Sequence, residues 1–333
     1  MINIKPDFFG SFSCIADKCS DCCCIGWEID VDEKALSKYR GIRSDFGERL
    51  QGSISLDDTP HFILSENERC PFLNSKNLCD IITNCGEEYL CDICREHPRF
   101  YEWYGNYKDC GLGLCCEEAC RLLLSSDEPL TFIKEIDETT DDNEIDSAAA
   151  QRIFEIREHI FKIISDRKAL TLSERIKNCC DYINTLQKSF GCKSSCETKD
   201  TVNEIFEIMK ISEPFDDSFS KFLSSFSFDK LRKNKEKAEN KYEKLFSYFV
   251  FRHFIKAIYD NDLITHFKVC ILLLITVLLF EEGCKELSTL DAVKYISKQF
   301  EYSEENTALL EFECADNRKL GFDNLISCLN CLL

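Results

Sequence analysis

Proline and glycine are both scarce, at 6 and 12 in 333 residues. Few positions can supply tight turns or helix breaks, which argues against a turn-rich architecture and favours a largely helical chain. Basic residues are outnumbered, 41 Lys and Arg against 60 Asp and Glu, and the formal net charge is −19. Nucleic acid is therefore not an expected partner without a strong local basic patch. Long apolar runs are missing too. "VCILLLITVLLF", Val269 to Phe280, is the longest. It falls short of the ~20 residues that cross a bilayer, so a buried core helix and no membrane association are expected. The opening "MINIKPDFFGSFSC" has neither an apolar h-region nor a cleavage site, so no secretory signal is read there. The expected location is the cytoplasm, where thiols stay reduced.

Cysteine is the residue in excess. There are 23, an odd number that cannot pair completely within one chain. In a reducing compartment a disulfide framework is disfavoured, and metal or iron–sulfur ligation leads. Fourteen of the 23 lie between residues 14 and 120. Hydrophobic residues make up 44%, with 26 Phe, so a substantial core is expected.

The chain divides by composition into three parts. Residues 1–130 form a cysteine-rich metal- or iron–sulfur-binding domain with short elements. "GWEIDV" alternates like a small strand, "VDEKALSKYRGI" reads as a short helix, "PHFILSENERCPFLNSKNLCDI" as two strands around a turn, and "EEACRLLLSS" opens a helix. Such a region buries little apolar surface, and metal ligation would supply the missing stability. Residues 131–147 read as an acidic linker, since "KEIDETTDDNEID" carries seven acidic residues and one Lys. Residues 148–333 read as an all-α helical bundle. Ile153, Ile156, Ile160, Ile163 and Ile164 recur at helical spacing, with Phe154 and Phe161 widening the face. Thr171 or Ser173 with Glu174 reads as a capping box. Further helices are expected over "DTVNEIFEIMKIS", over the long stretch from Asp229 to Asp260, and over 262–282, 287–301 and parts of 304–331. The basic first half of the long stretch, Lys230 to Lys244, reads as a solvated face. The fold class expected is mainly α.

The thiol spacings suggest chemistry. Cys14-x4-Cys19-x3-Cys23-Cys24 gathers several thiols in one loop. Cys70 and Cys79 stand nine apart, as two strands meeting at a shared ion would place them. "CDICREHPRF" supplies Cys91 and Cys94, with Arg95 and Arg99 positioned to offset thiolate charge, or to form ordinary surface ion pairs. "CGLGLCCEEAC" supplies Cys110, Cys115, Cys116 and Cys120. Zinc and iron–sulfur centres both take four thiolates. His97 and His253 are not expected to be ligands. Cys179, Cys180, Cys192, Cys196, Cys328 and Cys331 read as buried small hydrophobes.

The order "FSCIADKCSDCCCIGWEID", "CPFLNSKNLCDI", "CREHPR", "LGLCCEEACRLLL" resembles the flagellin lysine-N-methylase (FliB) family, within the wider CxxCxxCC-type group of zinc- or iron-chelating proteins. The family's Cys, Cys and Cys-Cys before Gly-Trp fall on Cys14, Cys19, Cys23, Cys24, Gly26 and Trp27. Its Cys-Pro-Phe-Leu falls on Cys70 to Leu73 and the following Cys on Cys79. Its Cys-Arg-x-x-Pro-Arg falls on Cys94, Arg95, Pro98 and Arg99, and its last motif on Cys115 to Arg121. The departures are mostly extra thiols. Cys22 stands where the family usually has Thr, Cys115 replaces Ser, Glu117 replaces Pro and Cys120 replaces Ala. "KLFSYFVFRHFIKAIYDNDL" is also similar.

The resemblance implies methyl transfer from S-adenosylmethionine to flagellin lysine ε-amines, with a 4Fe-4S iron–sulfur cluster, or zinc as the alternative. The ligand set it implies is Cys14, Cys19, Cys23, Cys24, Cys70, Cys79, Cys94 and Cys116, with Cys22 a bystander. The residues alone support only the metal. "CGLGLCC" lacks the third glycine and the strand–helix–strand setting of a nucleotide-binding loop, and the Cys-x3-Cys-x2-Cys arrangement of radical S-adenosylmethionine enzymes is absent, since Gly26 stands where its third Cys would be. Tyr101, Glu102, Trp103 and Tyr104 in "FYEWYGNY" could cage a sulfonium or a lysine by cation–π contact, or simply pack as a half-buried strand. The alternative function is a non-catalytic zinc- or iron-binding module with a structural or interaction role.

Overall fold

A computed structural model describes residues 1–138, 145–188, 196–216, 219–221, 223, 239–283 and 287–333. The chain divides into two compact units. One comprises Met1–Ser11, Tyr101–Cys115 and Ala119–Leu333; the other comprises Phe12–Phe100 and Cys116–Glu118. The architecture is mainly α. Much of the region 1–130 expected as one cysteine-rich domain is thus shared out, and the reason is strand pairing. Ile2–Pro6 runs parallel to Tyr107–Leu112 on one side and antiparallel to Phe132–Ile136 on the other. With Arg99–Tyr104 at one edge, these strands form a four-stranded sheet. The first part of the expected acidic linker is therefore a strand. Residues 139–144 lie outside the described residues, and Asp146 caps the next helix by accepting the Ala148 N–H at 2.9 Å.

The helical unit is built around Leu263–Gly283, which contains the apolar run. This helix is long and apolar enough to cross a membrane by composition, but 89% of its apolar window is buried in the protein. A helix apolar on every side needs partners on every side. Glu239–His253, Thr289–Ile296, Glu304–Asp316, Phe322–Leu332 and Leu172–Gln187 supply them. The Phe267 ring alone meets Phe246, Phe254 and Phe322 edge-on. The Leu172–Gln187 helix starts at a capping box in which Thr171 and Glu174 bond reciprocally, and Thr198–Ile211 follows where "DTVNEIFEIMKIS" predicts it. Most of the basic half of the long stretch, residues 224–238, lies outside the described residues.

The helix Ser147–Ser165 buries Ile153, Ile156, Ile160 and Ile164 as their spacing predicts, and also Arg157. The Arg157 guanidinium holds Asp109 through two bonds of 2.5 and 2.9 Å, donates to the Phe251 carbonyl at 2.9 Å, and lies over the rings of Phe154 and Phe251. A fully buried ion pair is tolerated when hydrogen bonds satisfy its charged groups, and the guanidinium donates three here. It ties the sheet, through Asp109, to two helices of the same unit.

The smaller unit packs Ile29, Val31, Leu36, Tyr39, Leu50, Phe62, Phe72 and Ile81 into one core. Glu33–Gly41 is a helix capped by Asp32, and Asp45–Gly52 a second, capped by Ser44. Extended pairing is shorter than the alternation predicts. It amounts to a two-residue ladder, Ile54–Ser55 with His61–Phe62, and isolated bridges such as Asp30 with His61 and Leu73 with Cys79. The physical reason is content: thiols from Cys70, Cys91, Cys22, Cys24, Cys79 and Cys94 join the apolar side chains in this core, where a sheet would need longer apolar runs.

Candidate metal centre

All eight thiols of the implied ligand set belong to the smaller unit, and its local structure sorts them. The segment from Cys70 to Cys79 folds back on itself. Asn74 accepts the N–H groups of Lys76 and Leu78 at 2.9 and 3.1 Å, and Leu73 bridges to Cys79. Arg69 clamps this turn from outside, donating to the Asn74 carbonyl at 2.9 Å. The turn returns Cys79 towards Cys70, which is what the spacing of nine suggests. Cys91 and Cys94 stand one helical turn apart at the start of Asp92–Glu96, a spacing that puts both sulfurs on one side.

The two pairs meet electrostatically. Cys94 hydrogen-bonds Cys91, which pushes the Cys94 thiol up and draws Cys91 down, and Cys94 also feels Cys70 and Cys79. Burial pushes Cys70 up to about 11, with Cys79 and Cys91 adding to it, and burial raises Cys79 as well. Tyr39 completes the group. Its hydroxyl is raised by burial and then by Cys91 and Cys94, and it is buried with no hydrogen-bond partner. A buried donor without an acceptor is costly, and a thiolate- or sulfide-bearing centre would satisfy it.

A second group is the Cys22–Cys24 triplet. Hydrogen bonds from Cys24 draw Cys22 down to about 6 and lower Cys23, while Cys24 is raised by both neighbours; Arg69 helps lower Cys22. The loop is held by the Trp27 indole donating to the Cys23 carbonyl at 2.7 Å and by the Cys70 N–H donating to the Cys24 carbonyl at 2.9 Å. Gly26, at φ +92°, makes the exit turn that a side chain would strain.

Of the implied ligands, Cys70, Cys79 and Cys94 come together, and Cys23 and Cys24 form a separate group. Cys19 is elsewhere, donating to Glu117, the residue after Cys116, at 3.7 Å. Cys14 is exposed and accepts the Ala16 N–H at 3.4 Å. Two thiols outside the set stand inside the groups. Cys91 completes a foursome, and Cys22, read as a bystander, is acidified within its triplet. The Cys-x2-Cys spacing of Cys91 and Cys94 was the available signal for the first. Arg95 forms surface ion pairs with Asp92 and Glu96 and Arg99 lies over the Phe12 ring, while Arg69 is a cation that helps lower Cys22. His97 packs on Trp27, ring centroids 5.6 Å apart. Among the described residues, no three His, Cys, Asp or Glu side chains converge closely enough to hold one metal ion. The donor chemistry of the foursome nonetheless fits a four-thiolate centre, and the unpartnered Tyr39 hydroxyl beside it supports that fit.

No protein-family model matches the chain, and no solved structure does. Over 135 residues, 38% of its length, the chain is 29% identical to the flagellar biosynthetic protein FliU of Salmonella muenchen, covering 80% of that protein. Over the same length it is 28% identical to proteins named lysine-N-methylase from Salmonella typhimurium and Salmonella choleraesuis, spanning about a third (34%) of each. The chain is thus similar, over part of its length, to flagellar and lysine-N-methylase proteins.

Proposed function

We propose that this chain is an S-adenosylmethionine-dependent protein-lysine N-methyltransferase that acts on flagellin in the cytoplasm and carries an iron–sulfur cluster, 4Fe-4S in type. The observation that carries the reading is the similarity to proteins named lysine-N-methylase; the name FliU of a third relative supports a flagellar substrate. Cys70, Cys79, Cys91 and Cys94 would hold the cluster. When bound, it would supply metal–thiolate links between the 70–79 turn and the 91–94 turn. Four-iron clusters spread their thiolates wider than a single tetrahedral zinc does, which suits a foursome that does not close on one ion.

The reaction is a direct displacement. The lysine Nζ lone pair forms a bond to the methyl carbon as that carbon's bond to sulfur breaks, and S-adenosylhomocysteine leaves as a neutral thioether. The ammonium must first lose a proton, so the chain must supply an acceptor and a face that aligns the amine.

The test has two stages. Anaerobically prepared protein should be brown and contain labile sulfide, and with S-adenosylmethionine and flagellin it should add the mass of one methyl to lysine. A cluster-loaded protein that leaves its cognate flagellin unmodified would refute the reading. The second reading, a non-catalytic zinc or iron module, is favoured by one observation. Cys70 and Cys91 lie inside the core of the smaller unit, as ligands of a structural metal do. Colourless protein with stoichiometric zinc and no methylation would select it.

A further inference from the structure

The sheet of the helical unit ends in an open edge. Phe132–Ile136 is its last strand, beside Ile2–Pro6. The register fixes which of its backbone groups are used. Met1 and Asp137 exchange both of their bonds, at 2.7 and 2.9 Å, and the Asp7 N–H donates to the Thr131 carbonyl at 3.0 Å. In an antiparallel pair such bonds fall on every second residue. The odd-numbered residues of the strand therefore bond Ile2–Pro6. The N–H and C=O groups of Phe132, Lys134 and Ile136 point away from the sheet and bond no described residue. The strand is also solvated: Ile133 is 41% exposed and Ile136 89%.

A cleft of about 400 Å³ adjoins this edge. It lies between the helices Ser147–Ser165 and Leu172–Gln187, and Glu158, on its wall, holds Lys134 of the strand in an ion pair. Side chains at the even positions face this side, since the Phe132 ring stacks on Phe161 at 4.3 Å. A strand added outside Phe132–Ile136 would turn every second side chain the same way, towards the cleft. The charges there are uneven. The Lys162 ammonium has no partner among the described residues. Arg152 donates to the neutral Asn261 side chain at 2.5 Å. Glu158 is matched by Lys134, and Glu155 accepts from Gln151 at 2.8 Å. Lys134, Arg152 and Lys162 thus outnumber Glu155 and Glu158, in a chain whose net charge is −19.

A second copy of the chain does not fit the edge. Pairing the whole strand with itself sets Lys134 opposite Lys134, and like charges directly opposite are destabilising. Two chains of net charge −19 repel as well. Lysine on a short edge strand is a known device against self-pairing, and it leaves the edge open to a strand of another sequence. An acidic side chain placed opposite Lys134 would also meet the excess charge of Lys162 and Arg152.

We propose that Phe132–Ile136 and the adjoining cleft form a docking site for an extended acidic segment of another protein, added as a further strand. Backbone bonds to Phe132, Lys134 and Ile136 give the affinity, and the cleft sets the choice of charge. Neither the metal centre nor methyl transfer takes part.

The full chain is titrated with a short labelled peptide of alternating valine and glutamate, read by fluorescence anisotropy. Lysine in place of the glutamates should cost about tenfold in affinity. Methylation of the glutamate amide nitrogens, which blocks the bonds to Lys134, should cost about as much. Lys162→Glu should weaken the glutamate peptide about tenfold. Ile136→Pro removes one outward N–H and spares the ladder to Ile2–Pro6. It should weaken binding about tenfold with an unchanged melting midpoint, whereas Glu135→Pro, which breaks that ladder, should lower the midpoint. Wild-type affinity in both Lys162→Glu and Ile136→Pro would overturn the proposal. Equal affinity for the glutamate and lysine peptides, or no binding by the wild-type chain, would do the same, as would a chain that dimerises through this edge.

Discussion

Cysteine has different neighbours in the two units. In the helical unit, Cys179, Cys180, Cys270, Cys314 and Cys328 are buried, and burial pushes all five thiols up, Cys314 and Cys328 to about 12. They behave as small hydrophobes. In the smaller unit, thiols face other thiols, and hydrogen bonds among them draw Cys22, Cys23 and Cys91 down while pushing Cys24 and Cys94 up. The same side chain is inert or ligand-like according to whether its neighbours are methyl groups or sulfur. A count of cysteines therefore says less than which of them share a turn.

The sharpest way to break this comparison is to exchange one thiol in each unit. On the proposed reading, Cys94→Ser should abolish stoichiometric metal and melt the smaller unit, because in small metallo-domains metal binding free energy, of order 10 kcal/mol, is folding free energy. Cys180→Ala should keep full metal content and cost only about 1–2 kcal/mol, as a small cavity does. Metal analysis with thermal melts reads both, and equal metal loss in the two would erase the distinction.

Next in size is the buried ion pair of the helical unit. Asp109→Ala leaves Arg157 charged in the core and should cost about 3–5 kcal/mol in urea unfolding. A cost below about 1 kcal/mol would mean the pair is not buried in solution.

Acid should act on Glu301. Burial raises its carboxyl, but Arg252 and His253 outweigh burial and hold it below its ordinary 4.5. A depressed folded value means that its stabilisation is complete above pH 4.5 and is lost as the pH falls through the folded value. Glu301→Gln should flatten that acid limb of the stability curve, and an unchanged slope would contradict the assignment. The smallest effect expected is at a helix end: Thr171→Ala removes the capping box and should cost about 1 kcal/mol, measured by the same unfolding.

Elements whose cause is local were legible in the chain. The Ile153–Ile164 spacing, the Thr171–Glu174 cap and the apolar run at Val269 place helices where they are found, because periodicity and capping act within a few residues. Nothing local in the sequence marks Arg157, and only packing reveals that Asp109, 48 residues earlier, keeps it buried. The expected boundary near residue 130 missed Ile2–Pro6, since a strand's partners lie far along the chain.

The same division applies to the sites. Composition and spacing alone determine that this is a mainly helical, thiol-rich chain with fourteen of its 23 cysteines between residues 14 and 120. Only the tertiary structure decides that Cys91 joins Cys70, Cys79 and Cys94 in one core, that Cys19 turns to Glu117 instead, and that Arg252 meets Glu301. Proximity of that kind is set by chain closure and core packing, which no local pattern encodes.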